Sequence, residues 1–176
     1  LQVVFLLSFQ IIEGFVYRQL ALIIAFFMTG LAVGAGWISR QCLTLDRTNA
    51  FRRRFIRVQT VICLLPIGLM LFFPLIQEEF RSFLSPATMG WLFSGLSLIT
   101  GVLGGVHFAL AVMVMAGTGV ALEKIGGGFY ALDLAGAAAG VLMAALFIIP
   151  VYGIVNTLAF LSFLSGISLL TLLRGP

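Results

Sequence analysis

Charge is what this sequence has least of. Of its 176 residues only 9% are Asp, Glu, Lys or Arg, while 61% are hydrophobic and the mean hydropathy is +1.19. A soluble domain carries about 25% charged residues. A soluble fold of this length exposes too much surface to hide so many apolar side chains. A water-soluble globule is therefore excluded. Histidine is nearly absent, with His107 the only one. Membrane haem b commonly takes two axial histidines, and no Cys-x-x-Cys-His attachment run occurs, so no cofactor is expected within this chain. The two cysteines, Cys42 and Cys63, have neither metal-ligand spacing nor the pattern of a disulfide framework. The alternation of apolar and polar residues that barrel strands need is missing too. The chain starts at Leu1 rather than Met and shows no signal-peptide layout. That start is compatible with a processed or incomplete form of something longer.

What is present is a series of long, unbroken apolar runs. Hydrocarbon offers no partner to backbone N–H and C=O groups, so spanning segments are helices or closed barrels, and these runs fit helices. The expected fold is all-α: a polytopic transmembrane bundle in a single domain, with about six spans of roughly 20 residues each. The spans fall at residues 1–15, 19–39, 58–76, 88–117, 129–151 and 156–173. Pro66 is expected to kink the third, and Pro150 lies near the end of the fifth.

The sparse charges are unevenly placed. Residues 40–57 hold Arg40, Arg47, Arg52, Arg53, Arg54 and Arg57 against one acid, Asp46. Basic segments beside spans stay on the cytoplasmic side, so this segment is expected to be a cytoplasmic loop. Alternation then puts both chain ends in the cytoplasm and eight of the ten basic residues inside, with Arg18 and Arg81 the exceptions. The expected location is a bacterial-type inner membrane. The net charge of +4 and pI near 9.7 then reflect orientation and contact with lipid headgroups at Arg47, Arg52, Arg53, Arg54 and Arg57. Nucleic acid is not an expected partner; membrane lipids and other membrane subunits are.

Small residues recur at helical spacing. Gly30 and Gly34, Gly101 and Gly105, and Gly136, Gly140 and Ala144 form smooth stripes that permit close backbone contact between membrane helices. The second, fourth and fifth spans are therefore expected to be tightly packed inner helices.

Ionisable groups within a membrane are costly and mark candidate sites. Gln10, Glu13 and Tyr17 share one face near the end of the first span, with Arg18 adjacent. They form either an interfacial polar cluster or a proton or ligand site. Asp133 shares a face with Gly136 and Gly140 and is expected to point into the bundle, in a cap-like role near a helix N-terminus or a functional one. His107 is either a packed core residue or a partner for Asp133. Gly126-Gly127-Gly128 is not a nucleotide loop, because no strand precedes it; a tight turn is expected there. No nucleophile–base–acid set and no metal cluster is visible. The expected role is a non-catalytic membrane subunit that anchors or scaffolds a larger complex, with an energy-transducing or electron-transfer assembly as one setting. A small transporter or channel component using Glu13, Asp133 or His107 is the alternative.

The run from Phe129 to Gly140, with Tyr130, Asp133 and Gly136 within it, followed by Pro150 and Gly153, resembles the membrane domains of spermidine synthase-like proteins. Those carry a pattern close to Y-A-x-D-x-x-G-A-x-x-G and then L-P-x-x-G. Upstream, Phe9-Gln10 through Gly14 and Tyr17, and Phe27-Met28-Thr29-Gly30-Leu31 through Gly34, are similar to two further elements of that family. Gly105-Val106-His107-Phe108-Ala109-Leu110-Ala111 is similar to a fourth, although Ala109 stands where the family has proline. The resemblance covers most of the chain in order. It implies a membrane fold and not aminopropyl transfer, because no stretch here builds the soluble Rossmann-like domain. A third alternative follows from it: the membrane part of an aminopropyltransferase whose catalytic domain is elsewhere.

Overall fold

The computed structural model describes residues 2–13, 17–42, 48–75, 86–116 and 122–174, all of them helical. The helices are α1 (Gln2–Glu13), α2 (Tyr17–Cys42), α3 (Thr48–Leu75), α4 (Pro86–Ala116), α5 (Leu122–Met143) and α6 (Ile149–Arg174), with a π-helical turn at Ala144–Ile148 joining the last two. Among the described residues four stretches are long and apolar enough to cross a membrane: Arg18–Gln41, Arg52–Leu71, Thr88–Ala116 and Tyr130–Arg174. The described surface is greasy to match, with Leu71, Leu132 and Val151 each about 70% exposed. In water such a surface is an aggregation hazard; in hydrocarbon it is the natural exterior.

Several boundaries differ from the sequence expectation. The 12 residues of α1 rise only about 18 Å, short of a full crossing. The basic segment is largely helical: α2 runs on to Cys42 and α3 starts at Thr48, which puts Arg40, Arg52, Arg53, Arg54 and Arg57 on helices. Hydropathy marks where hydrocarbon ends, not where backbone hydrogen bonding ends, and arginine is a good helix former. Arg47 lies outside the described residues. Pro66 sits buried within α3, which continues through it as one helix. Gly126, Gly127 and Gly128 belong to α5 rather than to a turn. A glycine in a helix costs only about 1 kcal/mol, less than leaving backbone groups unpaired near the bilayer.

The core of the bundle is the α2–α4 pair. A Cβ placed on Gly30 would strike the Leu98 carbonyl and lie 2.9 Å from Val102 N; one on Gly105 would strike the Leu31 carbonyl and lie 2.9 Å from Ala35 N. Gly34 and Gly101 are equally closed, by Val102 and Phe27. Numbers rise together along both helices, from Gly30 beside Gly101 to Ile38 beside Ala109 and Leu110. The two helices therefore run parallel, in backbone contact along one stripe of glycines. Parallel neighbours need a return pass between them, and α3 supplies it. Its Phe55 stacks on His107, near the end of α4, while its Ile62 and Leu65 share a cleft with Thr100 and Leu103, further back.

The 45-residue stretch Tyr130–Arg174 is not one straight rod. The π-turn closes with the Ile149 N–H donating to the Ala144 carbonyl, and Gly153 has φ 76 and ψ 176. The side before the break runs with α3, since Gly140 lies near Ile62 while Ile149 clusters with Leu69 and Met70. The side after it runs back. Ile154 and Leu158 sit in that same cluster, Cys63 Sγ donates to the Ser162 carbonyl at 3.8 Å, and Gln59 Nε2 donates to the Ser165 carbonyl at 3.4 Å. Breaking a helix in hydrocarbon frees carbonyls that need donors. Asn156 Nδ2 donates to Tyr152 O at 2.9 Å and Thr157 Oγ1 to Gly153 O at 2.6 Å.

The glycine stripe of α5 behaves differently from the other two. From Tyr130 to Met143 every residue is exposed, and nothing lies within 4 Å of a Cβ on Gly136 or Gly140. The fifth helix is thus not a tightly packed inner helix of this chain. A small-residue stripe permits close approach, but a stripe without a facing helix gains nothing from it.

Two outcomes follow. Gly101→Leu drives its side chain into the α2 backbone and lowers the thermal unfolding midpoint in detergent sharply, whereas Gly140→Leu leaves it within error. Thr157→Val, nearly isosteric, removes the hydroxyl bond to the Gly153 carbonyl and costs about 1 kcal/mol, read in the same assay.

Candidate functional site

Among the described residues three places bear on function: two hold polar side chains and one is an apolar cleft. The first joins α1, α2 and α4. Ser97 is fully buried, and its Oγ lies 2.6 Å from Gln2 Oε1 and 2.9 Å from Ile23 O. One hydroxyl proton cannot serve both oxygens, while Gln2 Nε2 is buried without a partner. Amide orientation is set by the network around it. Turning the Gln2 amide over lets Nε2–H donate to Ser97 Oγ, and the hydroxyl then donates to Ile23 O. One polar chain then ties α1 through α4 to α2. Beside it, Thr100 Oγ1 shares its proton between Leu96 O at 3.1 Å and Ser97 O at 2.9 Å.

The second is the cleft that keeps α5 away from the rest of the bundle. It has a volume of about 390 Å³ and is half-enclosed, with Gln2, Val4, Ile62 and Gly104 on one side and Gly140 and Ala144 on the other. Its walls are overwhelmingly apolar. The small-residue stripe of α5 therefore faces a gap, not a neighbour.

The third is the pair that the sequence singled out. His107 stacks on Phe55 with ring centroids 4.7 Å apart and planes at 23°, and its Nε2 is buried without a hydrogen-bond partner. Asp133 is exposed on α5 and acts on the His107 ring through space. The two are brought near each other across the α4–α5 gap, but not into a hydrogen bond through Nε2. Asp133 therefore does not point into a packed core.

Of the remaining candidates, Gln10 is half-buried on α1. Glu13 closes that helix, and its side chain, with that of Tyr17, lies outside the described set. Arg18, Arg40, Arg52, Arg53 and Arg57 are exposed. Arg54 is half-buried and donates to Gln41 Oε1 at 2.5 Å. Cys63 is a free thiol spent on a backbone carbonyl. Among the described residues no group of three His, Cys, Asp or Glu could hold a metal ion.

Ser97, Gln2, Gln59, Asn156 and Thr157 carry polar contacts that a search for ionisable residues passes over. The signal that finds them is a neutral polar side chain inside an apolar run, where hydrocarbon leaves it no choice but an internal partner. Ser97→Ala cuts the link between α1 and α2 and should lower stability in detergent by about 1 kcal/mol. Ser94→Ala loses only a bond to Gly90 O in its own helix and should cost less. Equal losses would show that the link between helices has no value.

No protein-family model, no curated protein and no solved structure matches this chain.

Proposed function

We propose that this chain is a membrane-embedded assembly domain: it seats a further transmembrane helix against α5 and so anchors or scaffolds a larger membrane complex. One observation carries this. α5 shows every residue from Tyr130 to Met143 exposed, yet it holds Asp133, Gly136 and Gly140 on one face, and Gly140 at the far end of that face borders the apolar cleft. A carboxylate within a membrane helix is costly, and Asp133 lies about one turn into the apolar stretch that begins at Tyr130; a facing helix with a hydrogen-bond donor relieves that cost. The same glycines allow that helix to come as close as α2 and α4 come to each other. In this proposal the chain makes six passes, the first of them by α1 over only part of the bilayer, with Gly153 as the turn between the last two passes, and the arginine-rich end faces the cytoplasm of a bacterial-type inner membrane.

The second function considered is a transporter component, favoured by the unpartnered Nε2 of His107 near Asp133. It requires water to reach both groups. The aminopropyltransferase-associated role rests on the sequence resemblance alone.

The test is a photo-crosslinking amino acid at Gly140 in membranes of the native host. A single protein adduct, lost when Gly136→Leu is added, is the expected result. Adducts to lipid alone would show that α5 faces only hydrocarbon and would remove the assembly role. Protection of His107 and Asp133 from solvent-borne reagents, measured in the same membranes, separates assembly from transport.

A further inference from the structure

We infer that the arginine-rich ends of α2 and α3 form a specific binding cleft for an anionic glycerophospholipid, with the phosphate held by Arg54 and Arg57 and an acyl chain lying over α4. The cleft has a volume of about 430 Å³, and Trp37, Gln41, Arg54, Arg57, Val106 and Leu110 line it. That is within the range of small-molecule sites. Its chemistry is two-sided. Val106 and Leu110 give it an apolar wall on α4, and the two guanidiniums stand on α3 near the end where its apolar stretch begins at Arg52. A glycerophospholipid joins the same two chemistries in one molecule.

Helical spacing builds the rim. Trp37 and Gln41 are four apart on α2, and Arg54 and Arg57 are three apart on α3, so each pair shares a face. Arg54 is half-buried and donates to Gln41, which ties the two helices and fixes the plane of its guanidinium. A guanidinium held in place spends less entropy on gripping a phosphate in forked geometry. Trp37 is 60% exposed, in keeping with the preference of tryptophan for the headgroup level. On its other side a second cleft of about 460 Å³ ends in Arg40. Three arginines, Arg40, Arg54 and Arg57, thus flank Trp37. Arg52, two residues from Arg54 and so on the opposite side of α3, lines neither cleft.

A diffuse basic surface and a built site give different results. The whole protein is purified in mild detergent and exchanged into nanodiscs of phosphatidylcholine with a minor fraction of phosphatidylglycerol. Lipids that stay bound on release are counted by native mass spectrometry. The cleft predicts one retained phosphatidylglycerol per chain and no comparable phosphatidylcholine. Arg57→Gln, an exposed position that leaves the Arg54–Gln41 bond in place, weakens that retention about tenfold. Arg52→Gln removes the same charge from the same helix and weakens it by no more than about twofold. Inorganic phosphate at millimolar concentration gives no thermal protection in detergent, while short-chain phosphatidylglycerol does. Equal loss in the two arginine variants would reduce the effect to overall charge and overturn the proposal. Equal retention of phosphatidylcholine, or equal protection by free phosphate, would overturn it as well.

Discussion

The fold depends on how closely two helix backbones approach. Lipid tails are as apolar as leucine, so burial does not gather helices in a bilayer as it does in water. Between α2 and α4 the approach is so tight that a single added carbon at Gly30, Gly34, Gly101 or Gly105 meets backbone. Contact of that kind multiplies small dispersion gains along the whole seam. It also fixes register, because a slip of one residue would bring a side chain into the gap. Phe5, Phe9, Ile23 and Phe93 then fill one end of the seam and Ile38, Ala109 and Leu110 the other. The parallel course of α2 and α4 dictates the return of α3 between them, so topology follows from the seam.

The second constraint is that no backbone group can be left to the solvent. It explains why the break at Gly153 is tolerated. At the break Tyr152 O accepts from Asn156 and Gly153 O from Thr157, one turn further on, and the positive φ falls on the one residue type that adopts it without strain. The same constraint accounts for the Ser97 link and for Gln59, which is 4% exposed and reaches across to α6. These neutral polar residues hold the bundle at points where glycine contact is absent.

Composition made the class legible, and the glycine spacings marked the α2–α4 seam residue by residue. The same spacing misled at Gly136 and Gly140, because a periodic stripe records what a helix face permits and not which helix meets it. Hydropathy locates the apolar stretches but not the helix ends, so the basic segment reads as a loop although most of it is helix. The sequence offers a His107–Asp133 contact, whereas Asp133 is exposed on α5 and His107 Nε2 is without a hydrogen-bond partner. That His107 stacks on Phe55 of α3 was not legible, since nothing in the chain states which side of α4 faces α3. The Gln41–Arg54 tie was hidden for the same reason: it joins residues 13 apart across a segment read as irregular.

The account stands on α2 and α4 running parallel in one register. In a background of Cys42→Ser and Cys63→Ser, Leu31→Cys is paired with Gly104→Cys, where an added Cβ lies 3.4 Å from the Leu31 side chain, and separately with Trp91→Cys, about 20 Å further along α4. A short bifunctional thiol reagent in native membranes should join Leu31→Cys to Gly104→Cys in high yield, because the two positions meet across the seam, and should leave the Trp91→Cys pair unlinked. No bond at Gly104→Cys, or equal bonding at both positions, would contradict the seam and the topology built on it.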